Sequence, residues 1–212
     1  MKNATRHKVK RVRKRAEYDR TAIYSILDAS WLAHVSFASD GQPFVIPMLY
    51  VRDGDDLLLH GSIASRLLKS LGEGIEACVC VTIVDALVLA RSHFHHSANY
   101  RSVVAFGNAT PVTDVAEKSA ALSGFVDAML PGRAAEARPA NHKELAATSL
   151  LRFRIVDASA KVRTGDPIDE SPDLSSSHWA GLLPLRQGYE EAVAAADLNP
   201  EIKIPDSLRT PS

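Results

Sequence analysis

The turn chemistry between residues 31 and 62 most narrows what this chain can become. Three runs with β character, WLAHVSFA, PFVIPMLYV and DLLLHG, are joined by SDGQ and RDGD. Each link holds Asp-Gly, a pair that enters the left-handed backbone region cheaply and so favours tight hairpins. Links this short leave no room for the crossover that parallel strands require, so the three runs are expected as an antiparallel meander. EACVCVTIV, ALVLARSHF and NYRSVVAFGNATPV return to β character further on. LLRFRIVDASAKVRTG is read as the last strand, with Leu151, Phe153 and Ile155 alternating onto one face. Strands of this length without crossover helices favour closure into a barrel.

Helical spacing interrupts the β runs at four places. Asp19 stands as an N-cap before Ala22, Ile23, Ile26 and Leu27, and GSIASRLLKSLGEG carries helical spacing up to a glycine stop. TDVAEKSAALSGFVDAMLPG has a cap at Thr113 or Asp114 and a Leu-Pro-Gly end, and NHKELAA is a shorter helix. There is no internal repeat and no second core. Residues 1–16, rich in Lys and Arg, read as a solvated basic arm, residues 17–165 as the folded domain, and residues 166–212 as a C-terminal arm. Within that arm HWAGLLPL needs burial for its Trp and leucines, so the arm is expected to pack on the barrel or on a dimer partner.

With 25 basic and 25 acidic side chains the chain is neutral, which argues against bulk nucleic-acid binding. The arm at residues 6–15 has no interleaved aromatics that would argue otherwise. No apolar run approaches the ~20 residues of a membrane span, and the N-terminus lacks a secretory signal, so the expected place is the cytoplasm without membrane contact. Cys78 and Cys80, the only two cysteines, would share one face of a strand. That placement makes a poor disulfide and an incomplete zinc site, and the pair reads as small buried residues in a reduced compartment. In RSHFHHSANYRS, His93, His95 and His96 crowd together. On a strand His93 and His95 would share a face with His96 opposite, and no Cys or carboxylate stands beside them, so no metal site is expected.

HGSIASRLLKSL, residues 60–71, holds the sharpest local chemistry. Ser62, Ser65, Arg66 and Lys69 fall at i, i+3, i+4 and i+7, placing two hydroxyls and two cations on one helical face, with Ile63, Leu67 and Leu71 on the apolar one. Gly61 at the helix start would let a ligand approach the backbone, and free N–H groups there favour phosphate. Arg adds a planar fork and Lys a point charge. Taken alone, the pattern also fits a solvated amphipathic helix.

The context is YDRTAIYSILD, HVSFASDGQPFVIPMLYVRDGDDLLLHGS, SRLLKSL, ALVLARSHFHHSANYRSVVAFGNATPV, LPGR, KELAATSLLRF, SAKVRTGDPIDE and HWAGLLPL. In order and spacing these segments, spanning about residues 17–186, resemble the FMN-binding split-barrel family around pyridoxamine 5'-phosphate oxidase. The match is closer to its flavin-nucleotide-binding branch, which includes the nitroimidazole-resistance proteins. The resemblance implies a mainly β (β+α) fold, a six-stranded antiparallel split β-barrel with a few flanking helices. It implies a homodimer with two FMN sites at the subunit interface. Pro47, Met48, Leu49 and Tyr50 would border the isoalloxazine and ribityl chain, and His60, Gly61, Ser62, Ser65, Arg66 and Lys69 would meet the ribityl phosphate and nearby ring edge. His96, Asn99, Arg101 and Ser102 would be delivered by the hairpin toward the flavin or the interface, Ser102 standing where the oxidases carry glutamine. Trp179 would be a lid over the ring or a buried structural residue.

The implied activity is an FMN-dependent oxidoreductase or flavin reductase. It would take electrons from a nicotinamide donor for a small-molecule acceptor, a nitro compound among the options, with His60 orienting substrate or a proton. True pyridoxamine 5'-phosphate oxidase activity is not expected, because no Lys or Arg stands between Phe44 and Val51 to hold a substrate phosphate. The alternatives are a non-catalytic FMN binder, other ligands such as FAD or a deazaflavin, and haem held by His34, His60 or His96.

Overall fold

A computed structural model describes residues 5–209. In chain order the elements are β1 (Ala16–Glu17), α1 (Arg20–Asp28), β2 (Leu32–Ser39), β3 (Gln42–Asp53), β4 (Asp56–Ser62) and α2 (Arg66–Gly72). They continue with β5 (Glu76–Leu89), β6 (Ser97–Pro111), α3 (Val115–Met129), α4 (His142–Ala147), β7 (Thr148–Arg163) and β8 (Gly181–Pro184). The Asp-Gly turns form as their chemistry dictates: Asp40 and Gly41 take φ of 51° and 76°, and Gly54 takes 59°. Every pairing in the sheet is antiparallel. The six long strands run β7-β4-β3-β2-β5-β6, and β6 pairs with β7 to close the ring. The strands close into the barrel that the meander predicts, in the split form that the resemblance implies.

Alternation sorts the side chains. Val35, Phe37, Tyr50, Leu57, Leu59, Val79, Val81, Val103, Leu151 and Phe153 are buried inside the barrel, and Ile23, Ile26 and Leu27 of α1 close one of its openings. Each such aliphatic or aromatic side chain contributes about 1.5–3 kcal/mol by leaving water. Asp19 caps α1, accepting from the Ala22 amide at 3.1 Å. A smaller apolar cluster of Leu58, Val112, Phe125 and Leu150 forms outside the barrel, beneath α3. Asp114 is the cap of α3, accepting from the Glu117 amide at 2.7 Å. Gly107 sits where the β6–β7 register shifts. A Cβ there would lie 1.8 Å from the main-chain oxygen of Arg154, so only glycine fits.

Several features depart from the sequence reading. EACVCVTIV and the first part of ALVLARSHF form one strand, β5, and the register shift between Val84 and Ala86 replaces the expected break. His93–His95 form a 3-10 turn, not strand. Cys78 and Cys80 point outward and are half-buried, because the inward positions belong to Ala77, Val79 and Val81. α2 begins only at Arg66, so Ser62 ends a strand and Ser65 is the cap of the helix.

Both arms join the sheet. β1 pairs with Ala160 and Lys161 of β7, and Arg6 of the basic arm is ion-paired with Glu76 and Asp157 at 3.1 and 2.9 Å and lies over the Phe106 ring. The arm is thus docked at its described end, not freely solvated; residues 1–4 lie outside the described part. β8 pairs with Ala86–Leu89 of β5, taking over where β2, which pairs with Ala77–Cys80, leaves off. Trp179, Leu183 and Leu185 stay exposed in the single chain, so the barrel itself does not bury them.

Candidate functional site

The passage from β4 into α2 brings His60, Gly61, Ser62, Ser65, Arg66 and Lys69 into one contiguous corner. Leu57 and Leu59 point into the barrel, so His60 points out, toward α3. Its ring meets Phe125 edge-on at 4.3 Å, and its Nδ1 is buried with no hydrogen-bond partner among the described residues. Burial holds its pKa below the ordinary 6.5, keeping the imidazole neutral. Gly61 serves packing: a Cβ would lie 3.1 Å from Cδ1 of Leu68, so its absence lets α2 sit close on β4.

Ser65 Oγ accepts from the Leu68 amide, which removes one of the free N–H groups expected at the helix start. The anion-binding capacity of the corner therefore rests on side chains. Arg66 and Lys69 are exposed and, among the described residues, neither has a carboxylate within salt-bridge distance, while Arg52, Arg101, Arg152 and Arg154 are all paired. Arg66 lies over the Phe44 ring at 4.0 Å, which orients its guanidinium. Lys69 also lines a cleft of about 310 Å³ with Lys118, Thr113, Thr148 and Ser149.

β3 divides its four candidate residues between two faces. Met48 and Tyr50 point inward, and the Tyr50 hydroxyl donates to the Leu27 carbonyl, so it is core at its side chain and offers a ligand only backbone. Burial pushes its phenol pKa well above the usual value. Pro47 and Leu49 point outward, paired across the ladder with His34 and Leu32. With Val45, 61 % exposed, they make an apolar outer face on which a flat ring could lie.

The hairpin residues take unequal roles. Asn99 is buried and bonded to Gly165 and Arg163, so it is structural. Arg101 makes a two-pronged pair with Asp85 at 2.7 and 3.0 Å, which neutralises it. Ser102 Oγ donates to the Lys161 carbonyl at 3.2 Å. His96 stands on the rim with Nδ1 2.9 Å from the Ser92 carbonyl, leaving Nε2 free. Among the described residues no three His, Cys, Asp or Glu converge as a metal site. Trp179 is 68 % exposed, its ring folded over Gly181.

The chain does not unite these groups. β7 pairs its first residue with Ser62 and its last with Tyr100, and Lys161 with Ser102. At about 3.3 Å per residue, roughly 40 Å of strand separates the α2 corner from the hairpin.

The sequence model of the family described as pyridoxamine 5'-phosphate oxidase matches residues 19–162. The chain belongs to this family. Two solved structures are similar over nearly the whole chain. The flavocytochrome Anf3 of Azotobacter vinelandii is 38% identical, with 97% of this chain and 95% of that one covered and a TM-score of 0.89. The FAD and heme binding protein of Mycobacterium smegmatis is 36% identical, with 92% and 96% covered and a TM-score of 0.87. A putative 5-nitroimidazole antibiotic resistance protein of Bacteroides thetaiotaomicron shares the fold at 18% identity, 69% and 86% coverage and a TM-score of 0.58. A search of curated proteins gave no match. No helix among the described residues is long and apolar enough to cross a membrane. Three contacts at the candidate residues were not foreseen from the sequence: Phe44 beneath Arg66, Phe125 against His60, and Asp85 on Arg101. Only Asp85 left a local signal, as the lone charge inside VTIVDALVL.

Proposed function

We propose that this protein is a flavin-dependent redox protein that also carries haem, passing electrons from a nicotinamide donor to a small acceptor. The observation that carries this reading is the full-length likeness to a flavocytochrome and to an FAD and heme binding protein. It moves the weight from FMN alone toward FAD with haem. The nitroimidazole-resistance likeness extends to the fold only and supports no particular acceptor. The lack of a cation between Phe44 and Val51 argues against phosphorylated pyridoxamine as the substrate.

The residues fit both groups. A bound flavin supplies hydride and one-electron chemistry, and a haem one-electron chemistry. Arg66 and Lys69, without a carboxylate partner among the described residues, would hold the flavin phosphate with Ser62 and Ser65 beside them. The outer face of β3 at Pro47 and Leu49 would support the ring. His60 is neutral with an unsatisfied Nδ1, and it would orient a substrate or hold a proton at that atom. His96 would hold the haem: its Nδ1 lies against the Ser92 main-chain carbonyl, which would fix the imidazole and present its other nitrogen as a ligand. The separation of the α2 corner from the hairpin supports a homodimer in which each site takes residues from both copies.

The absorption spectrum and released-ligand mass spectrum of the native protein test the reading. Flavin bands together with a Soret band are expected, and anaerobic NADH or NADPH should bleach the flavin. R66S/K69S should lose flavin and keep haem, and H96A should do the reverse. A native preparation that takes up neither group would sink the proposal.

A further inference from the structure

At the far end of β7 from the α2 corner, Arg163 is 6% exposed and has no carboxylate partner among the described residues. Its guanidinium donates only to neutral oxygens: Asn99 Oδ1, the Gly165 carbonyl at 3.3 Å and the Asp166 carbonyl at 3.4 Å. Buried arginines are ordinarily paired, because a guanidinium taken out of water without a counter-charge is costly. Here the neighbouring charge is of the same sign. Burial first, and repulsion from Arg15 second, hold the Arg163 pKa below its usual value.

Lys14 and Arg15 come from the basic arm. They sit in the 3-10 turn Arg13–Arg15, which begins at Val12 in a left-handed conformation, φ 54° and ψ 57°. A β-branched residue rarely adopts that conformation, and it is held where the surrounding structure over-determines it. The turn delivers Lys14 and Arg15 to a cleft of about 210 Å³, which they line together with Val162, Arg163, Thr164, Asp166 and Ile168. Asp166 is the one carboxylate of the lining and meets Arg163 through its main-chain oxygen. Three cations against one acid leave the cleft net positive.

We infer that this cleft is a second anion site, which takes the phosphate or pyrophosphate end of a small molecule. Its volume is below the ~300–1,000 Å³ of sites that enclose a whole drug-sized ligand, so it fits a charged terminus with the rest of the molecule outside. A phosphate there would supply the counter-charge that Arg163 lacks and accept a planar fork from it, while Lys14 and Arg15 close over the open side. The inference does not depend on flavin at the α2 corner, which stands at the other end of a sixteen-residue strand.

Inorganic pyrophosphate, titrated into the protein as purified at constant ionic strength, is the probe. Expected are slower tryptic cleavage after Lys14 and Arg15, and a pyrophosphate affinity, measured calorimetrically, that falls at least tenfold in K14S/R15S. These two exposed or half-exposed positions can be changed without disturbing the bonds of Arg163 to Asn99 and residues 165–166. R66S/K69S should bind pyrophosphate at this cleft as the parent does, whether or not that variant retains flavin. No cleavage protection in the parent, unchanged affinity in K14S/R15S, or loss of protection in R66S/K69S would each overturn the inference.

Discussion

His60 shows how one side chain can couple the site to stability. Its imidazole is half-buried against Phe125 and titrates below 6.5 for that reason. The unfolded chain binds a proton near pH 6.5 that the folded chain refuses until lower pH. Stability from the neutral form is therefore fully present above 6.5 and is lost as pH falls through the lowered value. H60Q keeps a polar side chain without the titration, so its melting temperature should drop less between pH 7 and pH 5 than that of the parent. An equal drop in thermal unfolding would mean that the imidazole does not titrate in that range. Arg66 makes the complementary case, because its position over Phe44 and its lack of an acidic partner among the described residues leave its charge available to a ligand. R66K keeps the charge but loses the planar fork, and flavin retention on gel filtration should fall at least several-fold.

Among the elements, glycine at 107 and the cap at 114 carry the most exposed consequences. Gly107→Ala forces a Cβ onto the Arg154 carbonyl at the seam that closes the barrel, so the expected loss exceeds about 3 kcal/mol, read by urea unfolding. Asp114→Ala removes only the α3 cap and should cost about 1 kcal/mol in the same measurement. The elements themselves were largely legible. Asp-Gly pairs, strict alternation at Leu151, Phe153 and Ile155, and the caps Asp19 and Asp114 all act locally, and local chemistry can be read from one sequence. The start of α2 was misjudged because Ser62, Ile63 and Ala64 carry no helix breaker. The β4–β7 ladder holds Ser62 in the strand, and that pairing is long-range. The outward turn of Cys78 and Cys80 has the same origin, since alternation defines two faces but not which one the barrel encloses. Of the site, the cations at 66 and 69 were visible from spacing. The neutralisation of Arg101 by Asp85 and the burial of Tyr50 depended on register and were not.

The whole molecule leaves apolar surface uncovered. Leu87 and Leu183 are cross-strand partners on β5 and β8, 40% and 53% exposed, and Leu185 and Trp179 are exposed in the same arm. Contiguous apolar area of this kind marks an interaction surface more often than a solvated one. The homodimer proposed above would cover it. Sedimentation should then give about twice the 23.0 kDa chain mass, and L183D should shift the protein toward monomer and lower its cofactor content together. A dimer unaffected by L183D would place the interface elsewhere.

β8 has a further consequence, in the order of synthesis. It covers Ala86–Leu89, the end of β5 that β2 does not reach, yet it is made more than ninety residues later. At about 5–20 residues per second, that edge waits on the order of ten seconds for its own partner while the chain is still growing. During that interval the nascent protein carries an unpaired strand edge at Ala86–Leu89 that another strand could meet. The C-terminal arm is therefore a segment whose loss would be felt in the yield of soluble protein.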